Sequence, residues 1–287
     1  MKSPISAENR AFREAAPSLG SSGRATFRLI VYALLTLTLI PVQALAVLLR
    51  IGPVTRGLPY VYHRLVCIII GLKVEVRGTR STESPTLYVG NHVSYLDIET
   101  LGSTIPGSFV AKAEVATWPF FNVLAKLQRT VFVERRTRAT RESRDSIIGR
   151  LEAGDSLILF PEGTSSDGTR VLPFRSALFA VAQITPGGRP LRVQPFTVAY
   201  TRLDGIPLGR YWRPYFTWYG DMELAGHLWN VCKLGECSVV IQFHEPTDIT
   251  RLGDRKKLSD HCFRAVSQGL QAINRGEPAE SLPKAAE

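Results

Sequence analysis

The chain has no C-x-x-C pair, and of its four cysteines, Cys67, Cys232, Cys237 and Cys262, only the last adjoins a histidine, His261. Structural zinc needs clustered thiolate and imidazole ligands, so no zinc site is expected and the thiols read as ordinary cysteines of a reducing compartment. G-x-S-x-G is also absent, which removes the nucleophile elbow of lipases and esterases. No internal repeat or long low-complexity tract is present. Acidic residues are scarce: 25 Asp and Glu against 35 Lys and Arg give a formal net charge of +10. A basic surface suits anionic lipid, nucleic acid, or an acidic protein or cofactor, and charge alone does not choose among them.

Charge is missing altogether from residues 29–49, a run of 21 residues bracketed by Arg24 and Arg28 before it and Arg50 and Arg56 after it. About 20 apolar residues can cross a bilayer core as a helix. Pro41 and Gln43 interrupt the run, which leaves a kinked, tilted or re-entrant helix open beside a straight span. A secretory signal is the competing reading, because Ala44-Leu45-Ala46 resembles a cleavage site. Against it stand the long preceding region with Glu8 and Glu14, and an apolar run that continues to Ile51. A second run, residues 58–72, carries His63 and Arg64 in its middle and reads as interfacial or packed against the first helix. Positive flanks on both sides leave the orientation of this hairpin-like anchor undecided. With 287 residues and 45% hydrophobic content, the expected organisation is a disordered tail over 1–23, membrane-anchoring helices over 24–72, an α/β catalytic domain over 73–274 and a second tail over 275–287.

The polar turn Asn91-His92-Val93-Ser94-Tyr95-Leu96-Asp97 follows the apolar run Leu87-Tyr88-Val89 directly. A short strand ending at Gly90 and leading into a helix delivers side chains to the carboxyl end of a sheet, where open α/β folds place their ligands. Ser94 to Asp97 fits a capping pattern, with Ser94 as the cap. Two residues five apart within one helix are rotated by roughly 140°, so His92 must lie in the preceding turn if the carboxylate is to reach it. From there Asp97 can fix the imidazole tautomer and leave the other ring nitrogen to take a proton from a hydroxyl. The same residues also read as a capped helix start beside a solvated histidine.

Further strands are expected at 73–77, 87–90, 108–112, 130–134, 156–160, 193–200 and 239–243, with a helix from Trp118-Pro119 to about Leu127. Pro195 cannot donate to a ladder and is expected at a strand end or bulge. Seven arginines between Arg129 and Arg150 fall on an expected helix whose Ile147, Ile148 and Leu151 face inward. They read either as a solvated face or as a docking surface for an acidic partner.

Asn91-His92 with Asp97, then Val131-Phe132-Val133-Glu134-Arg135, then Phe160-Pro161-Glu162-Gly163-Thr164, then Val193-Gln194-Pro195-Phe196 resemble the four ordered motifs of the glycerolipid acyltransferase family. The members most similar are bacterial 1-acyl-glycerol-3-phosphate acyltransferases and lyso-ornithine lipid acyltransferases, over residues 73–243. The resemblance implies an α/β fold with a mixed, mostly parallel sheet flanked by helices and an N-terminal membrane-anchoring segment. It implies His92 as general base and Asp97 as its orienter. Glu162, Gly163 and Thr164 match the acceptor loop, Arg135 matches a residue that meets an anionic head group, and Arg175 is a weaker candidate of that kind. Pro195 is read as shaping the site. The implied reaction moves a fatty acyl group from acyl carrier protein or acyl-CoA, as co-substrate, to a lyso-lipid hydroxyl, with no metal, no further cofactor and no nucleic acid. The implied place is the bacterial inner membrane, with the catalytic domain on the cytoplasmic side.

Two departures matter. Ser165 stands where many phosphate-acceptor members have arginine, which leaves room for a zwitterionic acceptor such as lyso-ornithine lipid. Gln128 replaces a glycine near the second motif. The alternatives are a membrane-anchored lipid hydrolase or thioesterase, and a non-catalytic protein that binds anionic lipid.

Overall fold

A computed structural model of the chain describes residues 19–117, 121–133 and 139–277. Two helices, α1 (Ser22–Leu48) and α2 (Gly52–Ile70), pack against each other and lead into the sheet. Helix α1 runs continuously through Pro41, and it is the one helix among the described residues long and apolar enough to cross a membrane. Ser21, expected to close a disordered tail, instead caps α1: its side chain accepts from the Arg24 amide, while its own amide donates to the Lys233 carbonyl at 2.9 Å. The large apolar residues of α1, among them Phe27, Ile30, Leu34, Leu37 and Leu45, are exposed, whereas Ala25, Thr36, Gln43 and Ala46 are buried. That inverts the pattern of a water-soluble surface helix.

The sheet runs in the order β1 (Leu72–Arg77), β8 (Cys237–Phe243), β6 (Arg192–Leu203), β2 (Thr86–Gly90), β5 (Leu157–Leu159), β3 (Ser108–Lys112), β4 (Val131–Val133), with β7 (Ile206–Pro207) paired to β6. Strands β6, β2, β5, β3 and β4 are mutually parallel, β8 is antiparallel to β6, and β1 is parallel to β8. The expected mixed, mostly parallel sheet is borne out. Between strands lie α3 (Leu96–Gly102), α4 (Phe121–Leu127), α5 (Ala139–Glu152) and α6 (Leu224–Lys233), and α7 (Ile249–Leu252) and α8 (Arg255–Asn274) follow β8. Helix α8 packs against β6. Strand β2 is buried throughout, as a central parallel strand with cover on both faces must be.

Pro195 corrects the expectation of a strand end or bulge: it lies inside β6, in register opposite Val89 of β2. On its other side the β8 ladder has just ended at Phe243, paired with Phe196. The His244 carbonyl, which an ordinary residue at 195 would bond, accepts instead from Gln194 Nε2 at 2.9 Å. The neighbouring side chain thus supplies the donor that proline lacks.

Candidate active site

Strand β2 ends at Gly90, where a side chain would collide with the ring and carbonyl of Phe196 on β6. The close approach lets the Asn91 side chain clasp β6 by two bonds, Nδ2 to the Val198 carbonyl at 2.8 Å and the Val198 amide to Oδ1 at 2.9 Å. His92 therefore leaves the sheet from a fixed point. Asp97, in the first turn of α3, is fully buried. Its Oδ2 accepts from His92 Nδ1 at 2.8 Å and from the amides of Val93 and Ser94 at 2.7 and 3.0 Å. Its Oδ1 accepts from the Tyr200 hydroxyl at 2.9 Å. The Asp97 half of the expected capping box is formed; the Ser94 hydroxyl accepts from the Leu96 amide rather than completing the other half.

An acceptor surrounded by donors assigns the proton of the His92–Asp97 bond to Nδ1, which leaves Nε2 as the basic nitrogen. The Phe160 ring stacks on the imidazole with centroids 4.2 Å apart and fixes its plane. The histidine side chain keeps 22% exposure, enough to meet a ligand.

Strand β5, beside β2 in the sheet, delivers the second loop. Glu162 is buried, and its Oε1 accepts from the His92 amide at 3.2 Å. Burial pushes its carboxyl up to about 8; the His92 and Leu172 amides oppose that rise, and the Asp97 charge adds to it. Among the described residues Oε2 has no hydrogen-bond partner. Gly163 has φ 69°, the left-handed region. The Arg175 guanidinium lies directly over it, and the Arg175 amide donates to the Pro161 carbonyl at 3.0 Å. Thr164 stands at the exposed tip of the loop. The loop returns to the histidine through the Ser166 amide, which donates to the His92 carbonyl at 2.9 Å. His92, Asp97, Glu162, Gly163 and Arg175 are thereby brought together; Arg135 lies outside the described residues.

Tyr200 and Phe160 were not anticipated as site residues. Phe196, Val198 and Tyr200 share one face of β6 by the two-residue period of a strand, and that period was the signal for the tyrosine. Among the described residues no group of three or more His, Cys, Asp or Glu side chains is placed to hold a metal ion.

A family model described as Acyltransferase matches residues 73–199. A lyso-ornithine lipid O-acyltransferase of Brucella abortus is 44% identical over 242 residues, 83% of this chain and 90% of that protein. The chain belongs to the acyltransferase family. A second lyso-ornithine lipid O-acyltransferase, from Rhizobium meliloti, is 39% identical to this acyltransferase over 88% of its length and 90% of its own. A 1-acyl-sn-glycerol-3-phosphate acyltransferase of Neisseria gonorrhoeae is 32% identical over 70% of this chain and 75% of its own. The crystal structure of the 1-acyl-sn-glycerophosphate acyltransferase PlsC from Thermotoga maritima shares the fold of this acyltransferase, with a TM-score of 0.56 at 21% identity, covering 86% of this chain and 97% of the other.

Proposed function

We propose that this acyltransferase moves a fatty acyl group from an acyl thioester to the free hydroxyl of a lyso-lipid, with lyso-ornithine lipid as the preferred acceptor and acyl carrier protein as the donor. The observation that carries the chemistry is the His92 Nε2 left basic and partly exposed by the Nδ1 bond to buried Asp97. As the acceptor oxygen attacks the thioester carbonyl, Nε2 takes the hydroxyl proton, and Asp97 stabilises the imidazolium. The C–S bond then breaks, and the same proton passes from the histidine to the leaving thiol. No covalent enzyme intermediate is needed. Glu162, with its carboxyl near 8, is in large part protonated at neutral pH and can donate to an acceptor oxygen.

Ser165 and the two lyso-ornithine lipid relatives favour that acceptor. The basic stretch around α5 favours an acidic protein donor. The reaction is placed at the cytoplasmic face of a bacterial inner membrane, with α1 and α2 as the anchor. That α1 is retained is supported by Arg28, whose guanidinium bonds the Cys232, Leu234 and Gly235 carbonyls at the end of α6.

His92→Ala in isolated membranes should lower acyl transfer by about 10²–10⁴-fold or more; retention of most activity would sink the mechanism. Side-by-side assays with lyso-ornithine lipid and 1-acyl-glycerol-3-phosphate decide the acceptor, and formation of phosphatidate alone refutes it as stated. Free fatty acid as the main product would mark a hydrolase.

A further inference from the structure

Residues 208–219, a segment beyond the stretch matched by the family model, pack against the turn that carries His92. The segment is fastened at several points. The Trp218 amide donates to the Val93 carbonyl at 2.7 Å, and the Trp218 indole meets the Tyr95 ring edge-on at 5.9 Å. Phe216 stacks on Tyr200, the tyrosine that holds Asp97, with planes 6° apart. Thr217 and Val93 close together over Gly168 of the acceptor loop.

Within this segment Arg213 is held firmly at its backbone. Its carbonyl accepts from the amides of Phe216 and Thr217 at 2.9 and 3.0 Å and from the Thr217 hydroxyl at 3.2 Å. The side chain is partly buried, and Nε has no hydrogen-bond partner among the described residues. Burial lowers the affinity of this guanidinium for its proton, and the nearby Asp167 charge opposes that effect. Arginine remains charged regardless, so the buried Nε–H without an acceptor is a standing cost that an acceptor oxygen would relieve.

Asp167, five residues after Glu162, uses Oδ1 for the amide and hydroxyl of Thr169, at 2.9 and 2.6 Å. Among the described residues Oδ2 makes no hydrogen bond or ion pair, and Arg213 and Asp167 are not salt-bridged to each other. Gly168, next to Asp167, lies against Thr217, whose amide and hydroxyl bond the Arg213 carbonyl, so the two opposite charges are carried on adjoining segments. Ser165 adds no cation to this end of the loop, and Arg175 lies over Gly163 instead.

We propose that Arg213 and Asp167 form a slot that reads a zwitterionic acceptor head group, Arg213 taking the carboxylate and Asp167 the ammonium, resting on the acceptor proposed above. Ornithine joined to a fatty acid through one amine keeps a carboxylate and a second amine, and so offers one charge to each residue. A phosphate monoester offers negative charge alone, which Arg213 attracts and Asp167 repels. The pair therefore sets acceptor choice as well as acceptor affinity.

The test uses the full-length enzyme in membranes with both acceptors, comparing wild type with Asp167→Asn, Arg213→Gln and Arg213→Lys, and thermal unfolding as a check on the fold. Asp167→Asn should raise KM for lyso-ornithine lipid by about ten- to a hundredfold, with kcat nearly kept, and leave or improve use of 1-acyl-glycerol-3-phosphate. Arg213→Gln should raise KM for both acceptors, and Arg213→Lys should recover part of the loss. Equal losses on the two acceptors in Asp167→Asn, or no loss on either, overturn the slot. A wild-type enzyme that does not acylate lyso-ornithine lipid overturns the acceptor reading itself, an outcome distinct from a wild type that uses this lipid and an Asp167 variant that fails to discriminate.

Discussion

Asp97 receives four donors: the ring N–H of His92, the amides of Val93 and Ser94, and the Tyr200 hydroxyl. Two of them are backbone groups of the turn that carries the histidine, so one carboxylate sets both the tautomer and the position of His92. Removing the Tyr200 hydroxyl leaves Oδ1 buried without that donor. Tyr200→Phe should lower kcat roughly tenfold, the scale of a lost bond to a charged group, with KM little changed, as read by initial rates over a range of acceptor concentration. Glu162 presents the opposite case. Its folded value, about 8, lies above the ordinary carboxyl value, so the unfolded chain releases this proton first as pH rises. Wild-type stability should fall between about pH 4.5 and pH 8. Glu162→Gln has no proton to lose, and its thermal midpoint should gain on wild type across that window; parallel curves would contradict the shift. His92, Asp97 and the Glu162 loop were legible because their chemistry and order are carried by short contiguous motifs. Tyr200 and Phe160 were not, because a tyrosine in an apolar strand and a phenylalanine before a proline look like ordinary core until β6 and β5 are set beside β2.

At the scale of elements, the N-terminal helices meet the rest of the protein at a buried ionic contact. His63 on α2 bonds Glu99 on α3 through Nδ1 at 2.6 Å and Gln128, after α4, through Nε2 at 2.5 Å. Both ring nitrogens face oxygens, the geometry of a protonated imidazole. Burial alone would push His63 down; Glu99, by charge and hydrogen bond, and Gln128 outweigh it and raise it above the ordinary histidine value. Its contribution to stability is therefore full below about pH 6.5 and is lost as pH rises through the raised value. His63→Leu leaves Glu99 without its charge partner and should cost about 3–5 kcal/mol, while adding Glu99→Leu should restore most of it; denaturant titration of the three variants checks both. Gln128, a departure from the family pattern, thus has a structural partner that no local pattern could reveal. The basic run divides similarly, since Arg129 and Arg150 join Arg56 around Asp155 rather than facing solvent freely. Strand positions were legible to within a few residues because buried parallel strands are short apolar runs. Helix α8 was missed although Leu258, Cys262, Val266, Leu270 and Ile273 keep helical spacing, because a charge-rich sequence surrounds them.

For the whole molecule, the outstanding surface feature is the exposed apolar stripe of α1. Phe27, Ile30, Leu34 and Leu37 recur at three- and four-residue spacing on the face turned away from the protein, and an apolar surface of that extent needs a lipid or protein cover. Leu34→Glu with Leu37→Glu adds two charges to that face, each costing about 2.5–3.5 kcal/mol in a bilayer core. The doubly substituted protein should move from the floating to the soluble fraction in vesicle flotation while keeping its thermal midpoint in detergent. Loss of folding in detergent would instead mean that the stripe packs within the protein. Continued flotation would mean that the anchor lies elsewhere. The hydrophobic run marked this helix in the sequence, but which side of it meets the rest of the protein depends on Arg28, Thr36 and Gln43, whose partners lie in other elements.

The sheet order also constrains how the chain reaches this state. Strand β1 pairs with β8, near the other end of the sequence, and β6 is hydrogen-bonded to β2 on one side and β8 on the other. Loop closures of that length are slow. During synthesis α1 and α2 emerge while β1 has no partner and the clasp between Asn91 and β6 does not yet exist. A product ending short of residue 237 would leave β1 and β6 as open edges prone to pairing with other chains.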